Sequence, residues 1–184
     1  KIMNEHQIKS LNNKLVKNYT DANSGLSNII PGKPFIRTSG MAIDNKGYLW
    51  VTQPEVPGTI KALKPDGSWI INPVTITVPT VGDIIITRAG HKWVILPRGY
   101  GLFLLDDKGT PESFGDDVSK KIMVTDSENK VFSSYFSIAE DLDGNIWIGT
   151  NGGGLNYLDR STNRFTCYTA GTSGLSSLSS NFIV

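Results

Sequence analysis

The sequence predicts an all-β fold of repeated four-stranded antiparallel sheets, and three observations carry that prediction. Short apolar runs alternate with turn residues, and 184 residues include 19 Gly and 9 Pro. An apolar strand, a polar turn, a Gly three residues before a Trp and a second apolar strand recur at Met41–Thr52, Ile84–Ile95 and Ile138–Gly149. After each Trp come a third strand, a turn rich in Asp and Gly, and a fourth strand. Hairpin-linked units of four strands are the anatomy of a β-propeller blade. The chain therefore reads as a segment of about three blades, with partial blades at both ends.

Residues 1–34 read as an N-terminal segment and the last strand of a preceding blade. Tyr19-Thr20 followed by Ser24-Gly25-Leu26-Ser27 matches Tyr168-Thr169 followed by Ser173-Gly174-Leu175-Ser176. The first full blade is expected over 35–78. Gly47 closes its first hairpin with a positive φ, and Trp50 places a large ring on the second strand to seal the sheet against a neighbour. The second blade, 79–131, repeats this with Gly90 and Trp93. The third, 132–170, does so with Asp141, Gly144 and Trp147. Trp spacings are 43 and 54 residues. Blade repeats run at about 40–50 residues, so the second spacing calls for an insertion. The polar stretch near 115–130 is its expected place, as a surface loop. Residues 171–184 read as the start of a further blade, because Ser179–Val184 resembles Ser133–Ile138. About three blades fall short of a closed ring of roughly 4–8. The chain is thus expected to be part of a longer one, or to associate through open blade edges with itself or a protein partner.

Composition narrows the function. The formal net charge of +1 provides no basic field for nucleic acid, and no apolar run approaches the length of a bilayer span. The segment Lys1–Lys14 lacks the apolar stretch of a signal peptide. Cys167 is the single cysteine, so it forms no intrachain disulfide and reads as a small buried hydrophobe. Asp141-Leu142-Asp143-Gly144-Asn145 begins like a calcium loop, but Ile146 and Gly152 stand where such a loop needs Gly and Glu, so it reads as a hairpin turn. His6 and His91, the two histidines, read as surface residues. Asp106-Asp107 and Asp116-Asp117 read as turn carboxylates. No catalytic group, metal site or cofactor is predicted.

Candidate contact residues lie in loops joining second to third strands. Asn151-Gly152-Gly153-Gly154 reads as a flexible glycine loop, and Asn151 and Gly152 are candidate ligand contacts. Arg98 and Tyr100, in Pro97-Arg98-Gly99-Tyr100-Gly101, combine a guanidinium with an aromatic ring, which suits an anion or a carbohydrate.

The core Glu140-Asp141-Leu142-Asp143-Gly144-Asn145-Ile146-Trp147-Ile148-Gly149-Thr150, with Gly153-Gly154-Leu155, closely resembles the two-component regulator propeller repeat. Asp44–Thr52 is a second match. The middle repeat departs, with Thr87-Arg88-Ala89 in place of the acidic turn and Ile95–Pro97 in place of Gly-Thr. The resemblance implies a periplasmic or surface module of a Gram-negative bacterium that senses a glycan-like ligand for two-component signal transduction. The order Leu63–Trp69, Lys92–Gly99, Gly109-Thr110-Pro111 and Asp116-Asp117 is also similar to surface propellers of the PorZ type. That resemblance implies a role in type IX secretion and contact with an anionic lipopolysaccharide. A polysaccharide-acting propeller enzyme is the remaining class. It would need clustered His, Tyr, Arg or carboxylates at the channel mouth, and few are present.

Overall fold

The computed structural model of the chain describes residues 6–9, 15–125, 134–171 and 178–184. It divides into two compact units, Lys1–Pro79 and Thr80–Val184. The first unit opens with strands β1 (His6–Lys9) and β2 (Leu15–Tyr19), a two-stranded antiparallel sheet in which His6 faces Tyr19. The N-terminal part therefore supplies two paired strands, where one last strand was expected. The polar run His6–Lys9 has no apolar alternation to mark it as a strand.

Strands β3 (Met41–Ile43), β4 (Leu49–Thr52), β5 (Ile60–Leu63) and β6 (Trp69–Ile71) then form a four-stranded antiparallel sheet in sequential order. One core cluster of this unit gathers Leu26, Ile36 and Val51, with Tyr19, Leu49 and Trp69 packed around it. Trp50 is buried on the opposite face of β4 from Val51, and Ala62 is its cross-strand partner on β5.

The second unit holds two such sheets. One is β7 (Ile84–Ile86), β8 (Lys92–Leu96), β9 (Gly101–Asp106) and β10 (Val118–Ile122); the other is β11 (Tyr135–Glu140), β12 (Ile146–Thr150), β13 (Leu155–Asp159) and β14 (Arg164–Tyr168). β10 corrects the reading of 115–130 as surface loop. Its sequence Val-Ser-Lys-Lys-Ile is exposed at all but the last residue, so no buried face imposes the alternation by which a strand is recognised. Residues 126–130 of that stretch lie outside the described residues.

The two sheets of this unit pack face to face. Trp93, Ile95 and Leu102 from one meet Ile146, Ile148 and Leu158 from the other, with Val124 and Tyr135 completing the cluster. Trp93 thus seals one sheet against the next, as expected of it, and is 1% exposed. Trp147 does not end up fully buried. Its ring lies on the other face of β12, half-exposed and flanked by Tyr157 at 4.7 Å and Tyr168 at 5.9 Å.

The first hairpin of each sheet has one geometry. In all three the Gly amide bonds back to the carbonyl three residues earlier, at Asp44, Thr87 and Asp141. Gly47, Gly90 and Gly144 take φ of 79°, 84° and 85°, a left-handed conformation that costs glycine nothing. The C-terminal residues were expected to start a new strand. They instead make isolated bridges, Asn151 with Phe182 and Ala170 with Leu178. The matching residues Ser133 and Ser173–Ser176 lie outside the described residues.

Candidate functional site

The hairpin motif is a structural device. Asp44 Oδ1 accepts the amides of Lys46 and Tyr48, while its Oδ2 accepts the Trp50 indole N–H at 2.9 Å. Asp141 repeats this with the amides of Asp143 and Asn145 and the Trp147 indole at 2.9 Å. A carboxylate six residues ahead of the Trp is therefore an acceptor for the turn and the ring together. Burial pushes the Asp141 carboxyl up, but the bonds from Trp147, Asn145 and Asp143 outweigh it and hold the group below its ordinary value. All of its acceptor capacity is directed at its own hairpin, as the turn reading required. Among the described residues no group of three or more His, Cys, Asp or Glu side chains comes together to hold a metal.

The middle hairpin has Thr87 at the Asp position. Its Oγ1 accepts the His91 amide, and the Trp93 indole N–H has no hydrogen-bond partner among the described residues. Arg160 lies over the Trp93 ring at 5.9 Å. Arg160 is placed by its own amide bond to Asn145 Oδ1 and by a bond from Nη1 to the Gly144 carbonyl. Its Nη2 meets His91 Nδ1 at 2.5 Å, and His91 Nε2 stands 3.6 Å from Asp106. His91 is consequently a partly buried member of the seam between two sheets, and its reading as a surface residue is corrected. Burial pulls its pKa below 6.5, Arg160 pulls it further, and Asp106 opposes. Arg88 adds a second clasp across the seam, with its amide bonded to Glu140 and its guanidinium to the Asp141 carbonyl.

Two lysines are fully buried. Lys92 and Asp107 form an ion pair at 2.5 Å, with side chains 4% and 2% exposed. Asp107 was read as a turn carboxylate. It does accept the Gly109 amide, but burial of Lys92 on β8 gives it a second task. In the other unit, Lys61 on β5 donates to Gln53 Oε1 at 2.7 Å and to Ser27 Oγ at 3.3 Å. Burial without a carboxylate among these contacts pulls its pKa down to about 8.

Of the four predicted contact residues, the structure groups them as two pairs on two loops. Arg98 and Tyr100 share the β8–β9 loop. Arg98 is exposed, with φ of 59°, and the Tyr100 ring carries the Lys121 ammonium at 5.4 Å. Asn151 and Gly152 share the β12–β13 loop and are exposed. That loop is pinned. The amides of Gly152 and Gly154 both donate to the Asn181 carbonyl, at 2.9 and 3.0 Å, and Asn181 Oδ1 accepts the Ala170 amide at 2.6 Å. Gly154 is required there, because a Cβ on it would collide with the Tyr168 carbonyl. Cys167, half-buried, donates its thiol to the Gly153 carbonyl at 3.2 Å.

Sequence reasoning missed the equivalent loop of the first sheet. Between β4 and β5 and the connection after β6 lies a cleft of about 540 Å³, lined by Glu55, Val56, Pro57 and residues 75–79. Arg37 and Glu55 pair at 2.6 Å beside it. The available signal was apolar residues in a proline-bounded loop, Pro54-Glu55-Val56-Pro57, where a solvated turn would be polar.

Four-stranded antiparallel sheets in sequential order, two of them stacked in the second unit through the face that carries Trp93, define a β-propeller segment. Residues 125–152 match the family model described as two component regulator propeller, in agreement with the resemblance read from Glu140–Thr150. No curated protein matches the chain by sequence.

Solved structures share its fold. PorZ, a surface component of the type-IX secretion system of Porphyromonas gingivalis, aligns at 24% identity and TM-score 0.69 over 82% of this chain and 21% of its own. The extracellular domain of a hybrid two component system of B. thetaiotaomicron aligns at 17% identity and TM-score 0.60, over 94% of this chain and 21% of its own. Virginiamycin B lyase of Staphylococcus aureus, an enzyme, aligns at 19% and 0.57, over 76% and 43%. The chain thus spans about a fifth of the first two and less than half of the third. No helix among the described residues is long and apolar enough to cross a membrane.

Proposed function

We propose that this chain is part of an extracytoplasmic β-propeller that binds a ligand or partner for two-component signal transduction, and performs no catalysis itself. The observation that carries the reading is the regulator-propeller match over 125–152. The use of its polar groups supports it. Asp44, Asp141, Lys92, Asp107, His91 and Arg160 are all engaged within or between sheets, where they hold the scaffold. Arg98, Tyr100 and Asn151 remain as proposed contacts for a glycan-like or anionic ligand on the loops. Gly152 contributes through its exposed backbone rather than its amide, which Asn181 occupies.

Thermal-shift screening of the purified protein against a glycan panel tests this. A rise in Tm of about 2 °C or more with one glycan class, abolished by Arg98→Ala, is the expected result. A flat response to every class sinks ligand sensing. Turnover of a polysaccharide by pure protein sinks the non-enzymatic reading.

The second reading is a surface accessory of type IX secretion, favoured by the PorZ alignment at TM-score 0.69 over 82% of the chain. Co-purification with secretion-machinery components, together with indifference to glycans, would select it.

A further inference from the structure

The cleft of the first unit differs from the loops considered so far. Val56, Ile76 and Val78, all buried, give it an apolar floor, with Pro57 and Pro79 at its sides. At its edge the side chains of Arg37 and Glu55 are 39% and 44% exposed, joined at 2.6 Å through Arg37 Nη2 and Glu55 Oε2. The same Nη2 reaches the carbonyl of Pro79, another lining residue, at 3.4 Å. Arg37 Nε and Nη1, and Glu55 Oε1, make no hydrogen bond to the described residues. A set of free donors and a free anionic acceptor therefore stand side by side at an apolar opening. Glu55 holds this position with φ of 62°, a conformation that a side-chain-bearing residue adopts at a cost and that clusters at binding sites.

We propose that this cleft binds a small zwitterion with an aliphatic body, a hydrophobic α-amino acid or a short apolar peptide. The ligand carboxylate meets Arg37 Nη1 in one charge-assisted hydrogen bond, since Nη2 is taken by Glu55 and Pro79, and the ammonium meets Glu55 Oε1. The aliphatic side chain then covers Val56, Ile76 and Val78. The volume lies within the range of small-ligand sites, about 300–1,000 Å³. Charge complementarity selects this class over a neutral sugar: the rim offers one charge of each sign, and no aromatic ring lines the walls for a sugar face to stack on. The proposal rests on the reading of the chain as a ligand-binding module and assigns that module a ligand class.

The test is calorimetric titration with L-leucine and Leu-Leu, and with three controls that each remove charge: leucinamide, isovalerate and N-acetyl-leucinamide. The expected result is binding of leucine or Leu-Leu with Kd of about 10⁻⁴–10⁻³ M, and at least a tenfold loss for each control. Arg37→Gln should lose at least tenfold as well. Glu55→Gly is the decisive variant, because glycine relaxes the backbone at this φ. It should fold at least as stably as the parent and still lose binding, so misfolding cannot explain the loss. Equal binding of N-acetyl-leucinamide, unaltered leucine binding by Glu55→Gly, or no binding up to about 10 mM overturns the assignment. A glycan that raises Tm while amino acids bind nowhere leaves the module reading standing and removes this one. Silence from both classes removes both.

Discussion

Two hairpins of the second unit, 87–93 and 141–147, share backbone geometry and differ in what they do with a tryptophan. At 141–147 a carboxylate fastens the indole N–H, and the ring stays half-exposed beside two tyrosines. At 87–93 a threonine takes the carboxylate's place. The indole N–H then has no hydrogen-bond partner among the described residues, and the ring is 1% exposed beneath an arginine. The anchoring job has passed from a bond within one hairpin to packing between two sheets. The sequence departure at Thr87-Arg88-Ala89 is the local trace of that exchange. Arg88, at the position after Thr87, reaches Glu140 and Asp141 across the seam, and His91 meets Arg160.

The largest expected effect is on Trp93 itself. Trp93→Ala should cost about 3–5 kcal/mol in urea unfolding, because it opens a cavity in the core that joins the two sheets. Trp147→Ala should cost clearly less; equal costs would erase the distinction between the two hairpins. Breaking the Lys92–Asp107 pair from one side comes close behind. Asp107→Ala leaves a buried ammonium without its anion and should cost about 3–5 kcal/mol, whereas Lys92→Met with Asp107→Leu should recover most of it.

A smaller effect concerns pH. His91 is held neutral in the fold by burial and by Arg160, so its pKa is lowered from 6.5. The unfolded chain therefore binds the proton more readily. The stability this contributes is present above about 6.5 and is lost as pH falls from there toward the folded value. In a His6→Gln background, where His91 alone titrates in this range, Tm should decline on acidification from pH 7. His91→Gln should flatten that decline. An unchanged slope would take His91 out of the seam's energetics.

The smallest effect is a transplant. Thr87→Asp supplies an acceptor for the Trp93 indole and should stabilise by about 1 kcal/mol, the worth of one buried hydrogen bond. No gain would mean that the geometry at 141–147 depends on more than its carboxylate.

The sheets were legible because their inner strands are short, buried apolar runs and their turns demand glycine. Gly47, Gly90 and Gly144 each precede the Trp by three residues, and a hairpin of this type has one place for a positive φ. The outer strand β10 was not legible, since solvent on both faces leaves Val118–Ile122 without a pattern. Sites fared worse for a different reason. Arg98, Tyr100, Asn151 and Gly152 are candidates from residue type and loop position alone, and the structure shows only that they stand on loops. Side-chain partnership over long separations leaves no local trace. Nothing around His91 announces Arg160, 69 residues away, and nothing around Glu55 announces Arg37. Lys61 looked like any strand lysine until Gln53 and Ser27 closed over it.

Asn181 carries a consequence for how the last sheet is made. The amides of Gly152 and Gly154 receive their acceptor from a residue that follows the end of β14 by 13 positions, Tyr168 to Asn181. On a ribosome, β11 to β14 can all emerge before the loop at their tip has its acceptor. The final fastening waits for the stretch of chain that comes after, so the completion of this sheet is timed by residues synthesised beyond it.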